Sequence, residues 1–221
     1  MIAIEQGGDM AIGPMVRRLL PGKAELAAAR LYRRIFVDLE KVSMILAGSL
    51  QRDARLLDIG GGDGDLLNHL LSARSDIRVD MVDIAPSVGR FLDAPYRNRI
   101  SIFSGTSIED HCRSNGKRYA AALVSDVMHH VPVVQREGFL RALHGLLQDH
   151  GQLFVKDVEP GHWISTLGLY CDRYLSGDRG VTLISSAALL DLMAGALPPH
   201  SATEIGLYAL DRPNYLVKAD F

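Results

Sequence analysis

A glycine-rich loop flanked by acidic residues is the segment of the sequence best suited to bind a ligand. It runs Asp58-Ile59-Gly60-Gly61-Gly62-Asp63-Gly64-Asp65, between a predicted buried strand and a predicted helix. Glycines let the backbone approach a ligand, and the start of a helix offers unpaired N–H groups. The acidic residues favour a ligand with a cationic group over a phosphate.

Two common phosphate-binding loops are excluded by this spacing. A dinucleotide loop of the form G-x-G-x-x-G that starts at Gly60 needs its third glycine at position 65, where Asp65 stands. An aspartate near a helix start also repels a pyrophosphate. A P-loop ends in Gly-Lys-Ser/Thr, which this segment lacks.

A second acidic residue, Asp83, closes the next predicted strand. A carboxylate at this position can accept hydrogen bonds from both hydroxyls of a ribose. Ile84 follows it and offers a flat apolar surface for a base. Together with the glycine loop, this pair predicts a site for a nucleoside.

Short apolar runs that alternate with helical patterns must position these residues. Five runs predict strands with helices between them, and two later runs predict closing strands that pair antiparallel across a tight turn. The pattern predicts an α/β fold with a doubly wound, mostly parallel sheet of seven strands, covered on both faces. The predicted strands are 55–59, 78–82, 100–103, 119–124, 152–156, 204–208 and 215–218, and the helices between and after them are 66–71, 86–92, 135–147, 163–175 and 185–196.

The run LLDIGGGDGDLL, followed by VDMVDIAPSV, resembles the cofactor-binding half of class I S-adenosylmethionine-dependent methyltransferases. The resemblance covers about residues 52–160, and the first motif is highly specific. It implies a Rossmann-like fold, S-adenosylmethionine as the cofactor and S-adenosylhomocysteine as its product.

The resemblance also implies roles for individual residues. Asp58 and the three glycines would meet the amino and carboxylate ends of the methionine part, and Asp83 would meet the ribose. Many members carry an aspartate after the third strand that contacts the adenine amine; this chain has none there, so Thr106 or Ser107 must substitute. The full set of expected cofactor residues is Asp58, Gly60, Gly61, Gly62, Asp83, Ile84, Thr106, Ser107, Ile108, Ser125 and Asp126.

The run SDVMHHVP at 125–132 resembles the LHHV-type loop of small-molecule methyltransferases. The motifs of DNA and protein amino-group methyltransferases, and the Pro-Cys nucleophile of cytosine C5 enzymes, do not occur in the chain. We therefore expect transfer of a methyl group to a small molecule, with O-methylation as the reaction.

A hydroxyl acceptor needs a base, and histidine suits this role near neutral pH. His129 and His130 are both candidates, although only one should point inward if the loop is extended. Asp126 could orient that histidine or touch the cofactor.

Charged residues at the end of the fifth strand are expected to line the mouth of the site. Asp157 and His162 could contact a polar acceptor, with a solvated rim as the alternative. Trp163 and Tyr170 lie on one side of the predicted following helix, where they face either the substrate or the core. The expected catalytic residues are thus His129, His130 and Asp157, and the expected substrate residues are His162, Trp163 and Tyr170.

An amphipathic pattern over residues 24–47 predicts an N-terminal helix. We expect residues 1–50 to form a helical cap or lid and residues 51–221 to form the cofactor-binding domain. The alternatives are a simple packing helix and a contact between two copies of the chain, as in a homodimer.

Composition limits the other possible partners. The net charge of −2 lacks the basic excess of nucleic-acid-binding proteins, and no apolar run approaches the roughly 18 residues of a membrane span. The N-terminus does not resemble a signal peptide. The two cysteines, Cys112 and Cys171, have neither disulfide-framework nor zinc-site spacing, which favours a reducing cytoplasm and no metal.

Two other functions remain open at this point. An enzyme of the same fold can bind the cofactor and catalyse a cyclisation, decarboxylation or rearrangement instead of methylation. A non-catalytic partner subunit is a further alternative, although the intact Asp58, glycine loop and Asp83 argue against it.

Overall fold

A computed structural model of the chain describes residues 39–116, 118–163, 165–166, 180–207 and 213–221. Seven strands form one sheet in the order β3-β2-β1-β4-β5-β7-β6, which confirms the expected α/β fold. The strands are β1 Arg55–Ile59, β2 Arg78–Asp83, β3 Ile100–Ser104, β4 Tyr119–Ser125, β5 Leu147–Val158, β6 Ser201–Gly206 and β7 Asn214–Asp220.

Helices connect the strands and cover both faces. Serine side chains cap two of them. Ser107 accepts from the Asp110 N–H at the start of the helix Ile108–Ser114, and Ser185 accepts from the Ala188 N–H at the start of the helix Ser186–Ala196. Within the described ranges, none of the helices has the length and apolar character needed to cross a membrane. The helices are α1 Leu39–Ser49, α2 Asp65–Ala73, α3 Ile108–Ser114, α4 Arg136–Gly145 and α5 Ser186–Ala196.

The order of the strands fixes where a ligand can bind. Strands β1 to β5 are parallel, while β7 is antiparallel to both β5 and β6. The chain steps outward from β1 to β2 and β3, and then returns to place β4 on the other side of β1. Such a reversal opens a crevice at the carboxyl ends of the two central strands.

Two hydrophobic clusters hold the helices on the sheet. One cluster packs α4 and α5 against one face, and the other packs α1 and α2 against the other face. Val42 and Leu46 of α1 are buried in the second cluster, together with Leu67 and Leu70 of α2. The described part of the N-terminal region is therefore a core helix, and the division of the chain at residue 50 stays a prediction.

The prediction of a helix at 86–92 is wrong. This segment folds back over the glycine loop: the N–H of Gly89 donates to Gly62 O at 2.8 Å, and the N–H of Phe91 donates to Asp63 O at 2.8 Å. Asn68 of α2 also donates to Phe91 O at 2.6 Å. Backbone groups of the segment thus pair with the glycine loop and with α2, in addition to one bond within the segment from the Leu92 N–H to Gly89 O at 3.2 Å.

Other elements also differ from expectation. β5 begins at Leu147, earlier than expected, and α3 had no expected counterpart. Of the helix expected at 163–175, residues 163, 165 and 166 are helical and the others lie outside the described residues.

A buried polar network ties the strands together at the edge opposite the crevice. The Asp80 carboxylate accepts hydrogen bonds from Arg55 at 2.8 and 2.9 Å and from the Tyr119 hydroxyl at 2.8 Å. Asp80 and Tyr119 are both buried. Burial and the bond to Asp80 raise the pKa of Tyr119, so the hydroxyl stays a donor at all physiological pH values.

We expect Tyr119→Phe to lower the free energy of unfolding by about 1–3 kcal/mol, because it removes a donor from a buried carboxylate. Cofactor affinity should not change, since the network lies at the opposite edge of the sheet. Urea denaturation measures the loss. Tyr96→Phe is the matched control, because among the described residues the Tyr96 hydroxyl has no hydrogen bond; equal stability of the two variants would contradict the prediction.

Candidate active site

A pocket lies in the crevice between β1 and β4. Six of the expected cofactor residues line it, namely Asp58, Gly60, Gly61, Gly62, Ser125 and Asp126. Four further lining residues were not expected: Leu39 of α1, Asp63 of the loop, and Asp65 and Leu66 of α2.

Asp58 is the most unusual group of this pocket. It lies near the end of β1 and is only 2% exposed. Within the described part of the chain, its carboxylate receives no hydrogen bond. Burial, and to a lesser degree the charge of Asp83, raise the pKa of the Asp58 carboxyl to about 7. A buried carboxylate without a donor is best stabilised by a cation, so this position suits an ammonium group.

The loop above Asp58 requires glycine at positions 60 and 61. A Cβ atom on Gly61 would stand 2.2 Å from Asp58 Oδ2 and 2.8 Å from Met81 Cε. Gly60 has a φ of +68°, and a Cβ on it would stand 2.2 Å from Val127 Cγ2. Both positions leave the backbone directly against the pocket, which is the arrangement that a cofactor cradle needs.

Asp83 braces the loop from the end of β2. Its carboxylate accepts from the Gly62 N–H at 3.1 Å and from the Ala85 N–H at 2.8 Å. The side chain is half-buried, and the neighbouring Ile84 is 68% exposed. Asp83 and Ile84 are not among the residues that line the pocket itself, but they extend the same edge of the sheet toward β3.

The three expected cofactor residues after β3 make contacts within the fold. The N–H of Thr106 donates to Asp83 O at 3.0 Å, which places Thr106 beside the ribose candidate. Ser107 is engaged in capping α3 and donates to Asp110 at 2.8 Å, while Ile108 is buried. None of these three residues lines the pocket.

Asp126 follows β4 and pairs with a lysine. Lys156 of β5 is fully buried, and its Nζ lies 2.5 and 2.7 Å from the two carboxylate oxygens of Asp126. Asp126 has a φ of +57°, and its N–H donates to Lys156 O at 2.9 Å. Asp126 is thus held by Lys156, and the expectation that it orients a histidine is not met.

The histidine partner is Asp157. His129 Nδ1 lies 2.6 Å from Asp157 Oδ1, and the His129 N–H donates to Asp157 Oδ2 at 3.1 Å. His129 is 5% exposed, whereas His130 is exposed, with ring centroids 4.2 Å apart. The structure therefore places His129 inward. Asp157 is fully buried, so it supports His129 and does not reach the surface where an acceptor would lie.

The expected substrate residues lie beyond the end of β5. His162 is half-buried, and its ring centroid is 5.9 Å from that of Trp163, which is 70% exposed. Tyr170 lies outside the described residues.

Comparisons with known proteins agree with this geometry. A family model described as a methyltransferase domain matches residues 28–196. The sheet order and the arrangement of the helices are those of class I S-adenosylmethionine-dependent methyltransferases. The chain belongs to the methyltransferase domain family, whose cofactor is S-adenosylmethionine. No curated protein matches the sequence.

Solved structures share the fold at low sequence identity. An O-methyltransferase family protein from Burkholderia thailandensis matches with a TM-score of 0.66 and 15% identity, over 96% of this chain and 63% of that one. A methyltransferase from Archaeoglobus fulgidus matches with a TM-score of 0.61 and 13% identity, over 94% and 98% of the two chains.

An O-methyltransferase from neocarzinostatin biosynthesis, in complex with S-adenosylhomocysteine and 1,4-dihydroxy-2-naphthoic acid, matches with a TM-score of 0.57 and 20% identity. The match covers 78% of this chain and 52% of that one. The chain thus spans only about half to two thirds of the length of this structure and of the Burkholderia structure.

Gly61→Ala should weaken the binding of S-adenosylmethionine at least about tenfold, because the new methyl group collides with the Asp58 carboxylate. Isothermal titration calorimetry measures the change. Gly116→Ala is the control, since a Cβ there meets nothing within 4 Å. Wild-type affinity in Gly61→Ala would show that the cofactor does not use this cradle.

The raised pKa of Asp58 predicts a pH dependence of cofactor binding. An ammonium group binds the ionised carboxylate, so affinity should fall by up to about tenfold per pH unit as the pH drops below 7. Asp58→Asn should bind more weakly and lose this dependence. Titrations between about pH 5.5 and 8.5 measure both, and a wild-type affinity that is flat over this range would contradict the assignment.

Proposed function

We propose that this chain is an S-adenosylmethionine-dependent methyltransferase that methylates a hydroxyl group of a small-molecule acceptor, with His129 as the general base. The observation that carries the proposal is the buried pair of His129 and Asp157 at the carboxyl ends of β4 and β5, the edge that also holds the pocket. A base at this edge is required only when the acceptor must lose a proton.

The residues of the pocket fit the cofactor. Asp58 would hold the ammonium group, the backbone of Gly60 to Gly62 would face the methionine part, and Asp83 would accept from the ribose hydroxyls beside Ile84. Bound S-adenosylmethionine supplies a methyl group on a positively charged sulfur, which a nucleophile can displace in line.

The geometry of the pair suits a general base. Asp157 accepts the Nδ1 proton of His129, which fixes the tautomer and leaves Nε2 as the proton acceptor. Nε2 takes the proton of the acceptor hydroxyl, and the buried carboxylate stabilises the imidazolium that forms. The deprotonated oxygen is then the nucleophile of the reaction.

A small acceptor is supported by several features. The charge of the chain is close to neutral, and the solved neocarzinostatin relative holds a dihydroxynaphthoic acid. Exposed Trp163 and its neighbour His162 offer aromatic surface beyond β5. We propose from the sequence alone that Tyr170 also contacts the acceptor. We propose that residues 1–50 form a cap for this region, of which α1 is the part that is anchored in the core.

The test of this function is a transfer assay. Purified protein, S-adenosylmethionine with a deuterated methyl group and a panel of phenols, naphthols, carboxylic acids and amines are incubated together. Mass spectrometry should find the labelled methyl group on a hydroxyl oxygen. Tight cofactor binding without transfer to any member of the panel would instead favour a non-methylating reaction.

His129→Ala should lower kcat by about 10²- to 10⁴-fold, because the acceptor loses its general base. The affinity for S-adenosylmethionine should stay close to that of the wild type, since His129 does not line the cofactor pocket. His130→Ala is the matched control and should retain kcat, because its side chain is exposed. Full turnover in His129→Ala would eliminate the proposed base.

A further inference from the structure

Arg136 is a buried cation outside the residues discussed so far. It is the first residue of α4 and only 5% exposed. A positive charge at this end opposes the helix dipole, and burial of a guanidinium costs free energy. Burial also lowers the pKa of Arg136. The position therefore favours a role other than stabilisation of α4.

The guanidinium joins two segments of the chain. Its Nε donates to Val131 O at 3.1 Å, and its Nη2 donates to Thr182 O. Val131 belongs to the loop that carries His129, whereas Thr182 belongs to the segment that leads to α5. Arg136 thus bridges the histidine loop and a segment that is about fifty residues later in the sequence.

The segment that contains Thr182 also forms a hydrogen bond with His129. The N–H of Thr182 donates to His129 O at 2.9 Å, while the N–H of His129 donates to Asp157. Both backbone polar groups of His129 are therefore paired, one with Asp157 and one with the residue that Arg136 anchors. Hydrogen bonds from Arg136 through Val131 and Thr182 close a ring that contains His129.

We propose that Arg136 is a positioning residue for His129, which it keeps beside Asp157 by bridging Val131 and Thr182. The inference rests on the proposed function, because that function gives His129 its catalytic role. Charge adds to the geometry, since the guanidinium attracts the Asp157 carboxylate and repels an imidazolium. Loss of the bridge at constant charge should therefore loosen the loop, weaken the contact of His129 with Asp157 and make the His129 ring lose its proton at lower pH.

The test measures His129 directly and needs no acceptor. The full chain is labelled with ¹⁵N-histidine, and the titration of the His129 ring is followed by NMR in the wild type, Arg136→Gln, Arg136→Lys and Arg141→Gln. Arg141 is an exposed arginine of the same helix and serves as the control. Among the described residues, the titratable groups near the pair include His130, Tyr215, Glu159 and Asp126, which are kept in every variant.

Arg136→Lys keeps the charge but lacks the planar fork, so it should weaken the contact of His129 with Asp157 and lower the apparent pKa of the His129 ring by about half a unit or more, whereas Arg141→Gln should not. Hydrogen exchange of the Thr182 amide should be at least about tenfold faster in Arg136→Lys and in Arg136→Gln. Arg136→Gln also removes the charge, which shifts the pKa of His129 in the opposite direction, so only its amide exchange is compared. If Arg136→Gln does not fold, Arg136→Lys alone decides. Wild-type titration or wild-type exchange in Arg136→Lys would overturn the proposal.

These outcomes separate the inference from the proposed function. The turnover of His129→Ala decides whether His129 is the base, whatever the NMR titration shows. The titration and exchange data decide whether Arg136 positions His129, whatever the reaction is.

Discussion

The burial of the Asp58 carboxyl without a hydrogen-bond donor is the constraint on which the cofactor site depends. It lies under the glycine loop at the end of a central strand, and its desolvation is unfavourable as long as it is charged. A cationic ligand removes this cost. The poor stabilisation of the charged Asp58 carboxylate in the protein alone therefore contributes to the affinity for the cofactor. The same carboxylate explains Gly61, because a side chain there would occupy the space of its oxygen.

Three carboxylates at one edge of the sheet have three different environments. Asp58 has no donor among the described residues, Asp126 is neutralised by the buried Lys156, and Asp157 accepts from His129 and from the Val158 N–H. The parallel strands β1, β4 and β5 bring them to the same edge, but their partners separate their chemistry. The first can attract a cation, the second is internally paired, and the third can fix the tautomer of a base.

The sequence is sufficient for the parts of this arrangement that depend on local patterns. Apolar runs that alternate with helical patterns predict the seven strands, and the resemblance of the loop from Asp58 to Asp65 to class I methyltransferases implies the cofactor. The path of residues 84–93 is not local, because the N–H groups of Gly89 and Phe91 bond to Gly62 and Asp63. The register of β4 and β5 decides two further pairings, His129 with Asp157 and Asp126 with Lys156. No short sequence motif indicates this register.

The most direct test of the account is a crystal structure of the chain with S-adenosylhomocysteine, which keeps the amino, carboxylate and ribose groups of the cofactor. The account predicts that the ammonium group contacts Asp58, that the ribose hydroxyls contact Asp83, and that the sulfur lies on the side of the site that His129 faces. A ligand that binds elsewhere, or that leaves Asp58 without a cationic partner, would contradict it.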